Sequence, residues 1–143
     1  MSSLIQRIQS ANIAGQARTP RFIQDQLRKL HDALVENFKD ICQAIVNDSS
    51  HTTAEAGVEF FLALTAVKDQ YSDIDFHKEI DEEYNIANEK DAASRKVPAG
   101  IVYIIPSQYT LFYSLIAPLS AAIAAGNCVI AEVNRSLYHN HSN

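Results

Sequence analysis

Few side chains in this chain of 143 residues are of a type and spacing that could do chemistry. Its two thiols are Cys42 and Cys128. A nucleophilic cysteine needs a neighbour that stabilises its thiolate, such as a cation or a helix N-terminus. Cys42 instead stands between Ile41 and Ile45 on an apolar helical stripe, and Cys128 opens an aliphatic run, so both read as packed thiols. His139 and His141 have a spacing that could grip a metal, but no further ligands stand at defined spacing, and no metal site is expected. His31, His51 and His77 are isolated and read as solvated or capping residues. The acids Asp81-Glu82-Glu83 lack the alternating order of a calcium loop, so they read as a solvated connector. No phosphate-binding loop, dinucleotide glycine fingerprint or nucleophile elbow is present. The remaining cluster is Gln108, Tyr109 and Tyr113, an amide and two phenols without a pair of titratable groups of opposed role.

Composition narrows the classes. A hydrophobic fraction of 47% with 20% charged residues is ordinary for a globular chain and excludes disordered and collagenous classes. Twelve Lys+Arg against seventeen Asp+Glu give a net charge of -5, which argues against nucleic-acid binding. Two cysteines cannot build a disulfide framework, so a reducing intracellular setting fits better. The three Asn-x-Ser triplets at Asn47, Asn134 and Asn140 therefore read as chance occurrences. Arg7 and Arg18, with no acid before Asp25, loosely resemble a mitochondrial presequence, but two arginines are few, and a surface helix is the better reading.

The charge is unevenly placed. Residues 73–91 hold eight acids and two bases, whereas Val97 to Ala131 carries no charge at all. A membrane span needs roughly 20 apolar residues. The best window, Tyr109 to Ala125, contains Thr110, Ser114, Pro118 and Ser120, and its surroundings are punctuated by Pro98, Gly100, Pro106, Gly126 and Asn127. Three elements fit better: a strand over Ile101–Ile105 buried on both faces, a helix over Tyr109–Ala125 stopped by Gly126-Asn127, and a strand over Cys128–Ala131. Strand, helix and strand with tight punctuation form a βαβ unit of a parallel sheet.

The preceding residues read as helices. Thr19-Pro20 opens a helix, and Ile23, Leu27, Leu30, Leu34, Phe38, Ile41 and Ile45 recur at helical spacing, predicting one long amphipathic helix ended by Asp48-Ser49-Ser50. Thr52 and Glu55 have capping-box spacing, and Val58, Phe61, Leu62 and Thr65 continue one face of the next helix. A shorter lead-in helix over residues 1–17 uses Leu4, Ile5, Ile8 and Ile13. The division is helices over 1–72, an acidic connector over 73–97, a partial βαβ unit over 98–135 and a polar tail over 136–143.

With those elements in place, the chain resembles the N-terminal part of the aldehyde dehydrogenase superfamily, most nearly its fatty-aldehyde-type branch. The resemblance rests on Arg18-Thr19-Pro20 leading to Gln26-Leu27-Arg28-Lys29-Leu30, on Pro98-Ala99-Gly100 before Ile101-Val102-Tyr103-Ile104-Ile105, and on Ala122-Ile123-Ala124-Ala125-Gly126-Asn127. It runs from about Arg18 to about Val133. It implies an α/β fold, with an N-terminal helical layer followed by the first βαβ unit of an incomplete Rossmann-like nucleotide-binding domain. The acidic connector resembles the segment that leads into the family's oligomerisation strands.

The family's activity is oxidation of an aldehyde to an acid with NAD or NADP through a cysteine thiolate. The resemblance places Ile104, Ile105, Pro106 and Glu132 at remnant cofactor-binding positions. Tyr109 stands where the family carries the asparagine that donates to the developing oxyanion, with the amide of Gln108 beside it. Losing an oxyanion donor typically costs about 100- to 1,000-fold in rate. Glu132 stands where the family's lysine grips the adenosine ribose, which reverses the Coulomb interaction there. The nucleophilic cysteine and glutamate base of the family match nothing in these residues.

The expectation is a truncated aldehyde dehydrogenase-like chain without catalytic residues, a pseudoenzyme for which no cofactor binding is expected from this chain alone. One alternative is a non-catalytic partner that associates with itself or with full-length dehydrogenase subunits through uncovered apolar surface. The other is a repurposed non-redox enzyme acting at Gln108, Tyr109 and Tyr113. Neither nucleic acid nor membrane is an expected partner, and the cytoplasm is the expected location.

Overall fold

The computed structural model describes residues 2–88 and 97–132. In chain order they form α1 (Ser2–Ala14), a 3-10 turn (Gln16–Arg18), α2 (Pro20–Glu36), α3 (Phe38–Ser49), α4 (Thr53–Ser72), α5 (Phe76–Ala87), β1 (Ile101–Ile104), α6 (Leu111–Ala124) and β2 (Cys128–Ala131). The polar tail, with His139 and His141, lies outside the described residues, as do 89–96 of the acidic connector.

The fold is mostly helical with one small parallel sheet. Strands β1 and β2 pair in parallel, Ile101 opposite Cys128 and Ile104 opposite Ala131, with α6 as the crossover. This is the βαβ unit expected from the punctuation of the uncharged run. Strand β1 ends one residue before the expected Ile105, and α6 starts at Leu111 rather than Tyr109.

The long amphipathic helix expected over residues 20–49 is two helices. Asn37 leaves helical geometry at φ -102°, ψ 17°. Its backbone N–H and its Nδ2 both donate to the Ala33 carbonyl, at 3.2 and 2.8 Å. A side-chain amide that occupies a helix carbonyl offers the backbone an alternative to the regular ladder. The apolar stripe survives the break, because Leu34 before it and Ile45 after it join the same core.

Helix α4 turns a different face inward than its apolar residues indicate. Val58, Phe61 and Leu62 are 60%, 65% and 49% exposed, whereas Ala56, Phe60, Ala63 and Val67 are buried. This face packs on α2, α3 and α6, with the small Ala56 and Ala63 fully buried, and bears Phe60 against Phe112 of α6 in a stacked pair at 5.7 Å. The capping box forms as expected: the Thr52 N–H donates to Glu55 Oε2 at 2.8 Å, and the Glu55 N–H donates to Thr52 Oγ1 at 3.3 Å.

Residues 76–87 of the acidic segment form a helix instead of an open connector. Asp75 caps it by accepting the N–H groups of His77 and Lys78 at 3.0 and 3.1 Å. The strands are not buried on both faces. Ile104 is buried, but Ile101 and Tyr103 are exposed, so one sheet face is open among the described residues. No helix of the described residues is long and apolar enough to cross a membrane.

Candidate functional site

The C-terminal edge of a parallel sheet is where ligands of open α/β folds bind, because strand ends and helix N-termini converge there. Here that edge gathers the residues picked out by sequence. Ile104 is the buried last residue of β1, followed by exposed Ile105 and half-buried Pro106. Glu132 follows β2 directly, and its N–H donates to the Ile104 carbonyl at 3.0 Å, closing the ladder. The Tyr103 hydroxyl donates to the Glu132 carboxylate. That bond holds the Tyr103 phenol above its ordinary range, since ionisation would set two anions together. Glu132 is thereby engaged by a neighbour on β1 instead of standing free toward a ribose.

The loop from β1 to α6 is fixed by serines. Ser107 N–H donates to Ser114 Oγ at 2.8 Å, and Tyr109 N–H donates to Ser107 Oγ at 3.4 Å. Gln108 is exposed, and Tyr109, at the family's asparagine position, is 85% exposed. A side chain so solvated is not held in the geometry that an oxyanion donor requires.

Sequence reasoning missed the most buried acid of the site. Glu59, on the inward face of α4, is 7% exposed, and its Oε1 accepts the Tyr113 N–H in the first turn of α6 at 3.0 Å. A carboxylate at a helix N-terminus satisfies orphan N–H groups and meets the positive end of the helix dipole. The legible signal was that Glu59 is the sole charge between Ala56 and Val67. Its Oε2 lies 3.7 Å from His51 Nδ1, which is buried and has no hydrogen-bond partner among the described residues. His51, Glu59, Thr110 and Tyr113 share the wall of a cleft of about 370 Å³ with Ala54, Glu55, Val58 and Leu62. Of the expected trio, Tyr113 belongs to this cleft, whereas Gln108 and Tyr109 do not line it.

The thiols lie elsewhere. Cys42 is buried in the helical core, and burial pushes its thiol above the ordinary range. Cys128 stands at the opposite, N-terminal end of β2, on a second cleft of about 310 Å³ between α2 and α6. No group of three or more potential metal ligands exists among the described residues.

This edge does not fit a dinucleotide. At its helix N-terminus, the ready-made phosphate site of such folds, the Tyr113 N–H is already given to the Glu59 carboxylate, whose charge opposes a phosphate there. The loop from Pro106 to Thr110 contains no glycine that would let a pyrophosphate approach the backbone, and Glu132 adds a second negative charge.

Comparison with known proteins identifies the lineage. The model of the aldehyde dehydrogenase family matches residues 4–135. Aldehyde dehydrogenase family 3 member B1 of Bos taurus is 35% identical over 138 residues, covering 90% of this chain and 28% of the relative. The Homo sapiens member B1 is 36% identical over 114 residues, covering 78% of this chain and 22% of the relative. Family 3 member A2 of Macaca fascicularis is 32% identical over 141 residues, covering 92% of this chain and 28% of the relative. No solved structure gives a significant match. The chain thus spans little more than a quarter of the length of the curated relatives it matches. The family model covers the helical layer and the whole βαβ unit, and the chain belongs to the aldehyde dehydrogenase family.

Proposed function

We propose that these residues form a non-catalytic N-terminal unit of the aldehyde dehydrogenase family, a truncated, pseudoenzyme-like portion that oxidises no aldehyde and binds no NAD or NADP by itself. The observation that carries this reading is the Glu59 carboxylate seated on the α6 N-terminus, where a phosphate would otherwise dock. Exposed Tyr109 in place of an oxyanion amide and Glu132 engaged by Tyr103 support it. Coverage of 28% of a relative agrees with a portion of the family's architecture rather than all of it. The oxidation of aldehydes with NAD(P) belongs, in this reading, to chains that carry the remaining elements. The test incubates the purified chain with NAD and a long-chain aldehyde while NADH absorbance is followed, alongside calorimetric titration with NAD. Flat traces in both are expected; turnover or saturable NAD binding overturns the reading.

A second role rests on the open sheet face. Ile101, Tyr103 and Ile105 are 39%, 54% and 67% exposed on and just after β1. Such a surface favours self-association or docking onto full-length dehydrogenase subunits. Light scattering of the chain alone and with a full-length family 3 enzyme checks this; monomeric behaviour in both mixtures counts against it. The free thiols Cys42 and Cys128 suit a reducing compartment, and the cytoplasm is the proposed location, testable by cell fractionation.

A further inference from the structure

We propose that the cleft between α4 and the N-terminus of α6 binds primary alkylammonium ions, with the cationic head on Glu59 Oε2 and the alkyl tail along Val58 and Leu62. The proposal rests on this chain's own cleft and needs neither NAD nor any family residue elsewhere. The Glu59 side chain is 8% exposed, yet no lysine or arginine pairs with it among the described residues. A buried carboxylate without a cation is unfavourable unless something supplies charge and donors. Oε1 is committed to the Tyr113 N–H, but Oε2 makes only the 3.7 Å approach to His51 Nδ1, too long for a hydrogen bond. Both of these atoms belong to residues lining the same cleft, and His51 Nδ1 lacks a partner among the described residues.

An ammonium group carries three donors and no acceptor. It can give one N–H to Glu59 Oε2, which has no donor among the described residues, and supply the charge that the carboxylate lacks, while its other N–H groups stay with water at the cleft mouth. An alkanol has a single donor and no charge, and an alkanoate brings a second anion beside Glu59 and Glu55. The rest of the wall is apolar: Val58 and Leu62 are large, exposed side chains on the face of α4 that the core does not use. A tail laid on them removes apolar surface from water on both sides. Each buried methylene then tightens binding by about fourfold, until the tail outruns the cleft.

Calorimetry of the purified chain with butylammonium, hexylammonium, hexanol and hexanoate tests the proposal. Hexylammonium is expected to bind saturably, more tightly than butylammonium, with hexanol at least about tenfold weaker and hexanoate without saturable binding. In Glu59→Gln, the side-chain carbonyl still accepts the Tyr113 N–H but the charge is gone; hexylammonium should weaken by about tenfold to a hundredfold and hexanol should not. Val58→Arg changes an exposed position, so folding is retained, and its guanidinium occupies the cleft beside Glu59; saturable binding should vanish. Hexanol binding as tightly as hexylammonium overturns the proposal, as does unchanged hexylammonium affinity in Val58→Arg. Far-UV dichroism identifies a Glu59→Gln chain that has not folded, in which case Val58→Arg decides.

Discussion

The Oδ1 of Asn127 accepts the Gly100 N–H at 2.8 Å, and its Nδ2 donates to the Ala122 carbonyl at 3.3 Å. One buried amide thus ties the end of α6 to the entry of β1, across 27 residues of sequence. Beside it the Cys128 N–H donates to the Gly100 carbonyl at 2.9 Å and starts the parallel ladder. The Gly-Asn pair that ends the helix is therefore also the clasp that sets the register of the sheet.

Asn127→Ala leaves the Gly100 N–H buried without its acceptor. A loss of about 1–3 kcal/mol is expected, the cost of an unsatisfied buried polar group, measured by urea unfolding. Asn127→Asp keeps the acceptor for Gly100 but sets a buried, unpaired carboxylate against the Ala122 carbonyl, and should lose at least as much.

Gly126 sits at φ +72°, and a Cβ there would stand 3.2 Å from the Ala17 carbonyl oxygen and 3.4 Å from Arg18 Cα. Both neighbours are backbone and cannot swing away. Gly126→Ala should therefore lose about 1–2 kcal/mol or more from the left-handed conformation, before the contact with Ala17 is added. Thermal unfolding monitored by circular dichroism reads the loss.

The two faces of α4 separate cleanly by substitution. Phe60→Ala removes a 5% exposed ring stacked on Phe112 and should lose about 3–5 kcal/mol. Phe61→Gln alters a 65% exposed ring and should stay within about 0.5 kcal/mol of the parent. Equal losses would mean that the helix faces are assigned the wrong way round.

The capping box makes stability depend on acid. Backbone and side-chain donation from Thr52 holds the Glu55 carboxyl below its ordinary range of about 4.5. A depressed folded value means that the stabilisation is present above the unfolded value and is lost as pH falls through the folded one. Glu55→Gln should therefore flatten the stability profile below about pH 4.5, seen in urea titrations across that range. Thr52→Ala should lose about 1 kcal/mol at neutral pH.

Tyr103 and Glu132 give the opposite sign at the alkaline end. The carboxylate raises the phenol, so its contribution to stability is present at neutral pH and is lost as pH rises through the elevated folded value. Glu132→Gln should shift one tyrosine of the ultraviolet titration to lower pH. An unchanged titration curve would show that the Tyr103–Glu132 bond does not persist in solution.

Sequence alone determined the elements whose signals are local. The strand–helix–strand order was legible because Gly100, Pro106 and Gly126-Asn127 interrupt the backbone wherever they stand, and the Thr52–Glu55 box formed because its bonds span three residues. The residues Ile104, Ile105, Pro106 and Glu132 met at one edge because parallel pairing brings successive strand ends together. Tertiary structure decided what depends on partners distant in the chain. The inward face of α4, with Ala56 and Ala63 fully buried, was set by its packing on α2, α3 and α6, not by where its bulkiest apolar residues lie. The split of the long stripe into two helices is by contrast local, since the Asn37 amide takes the Ala33 carbonyl four residues back. Glu59 became the cap of α6 through a contact spanning 54 residues, which no periodicity encodes. Local punctuation fixes where elements begin and end; desolvation on packing decides which faces and which charges they bury.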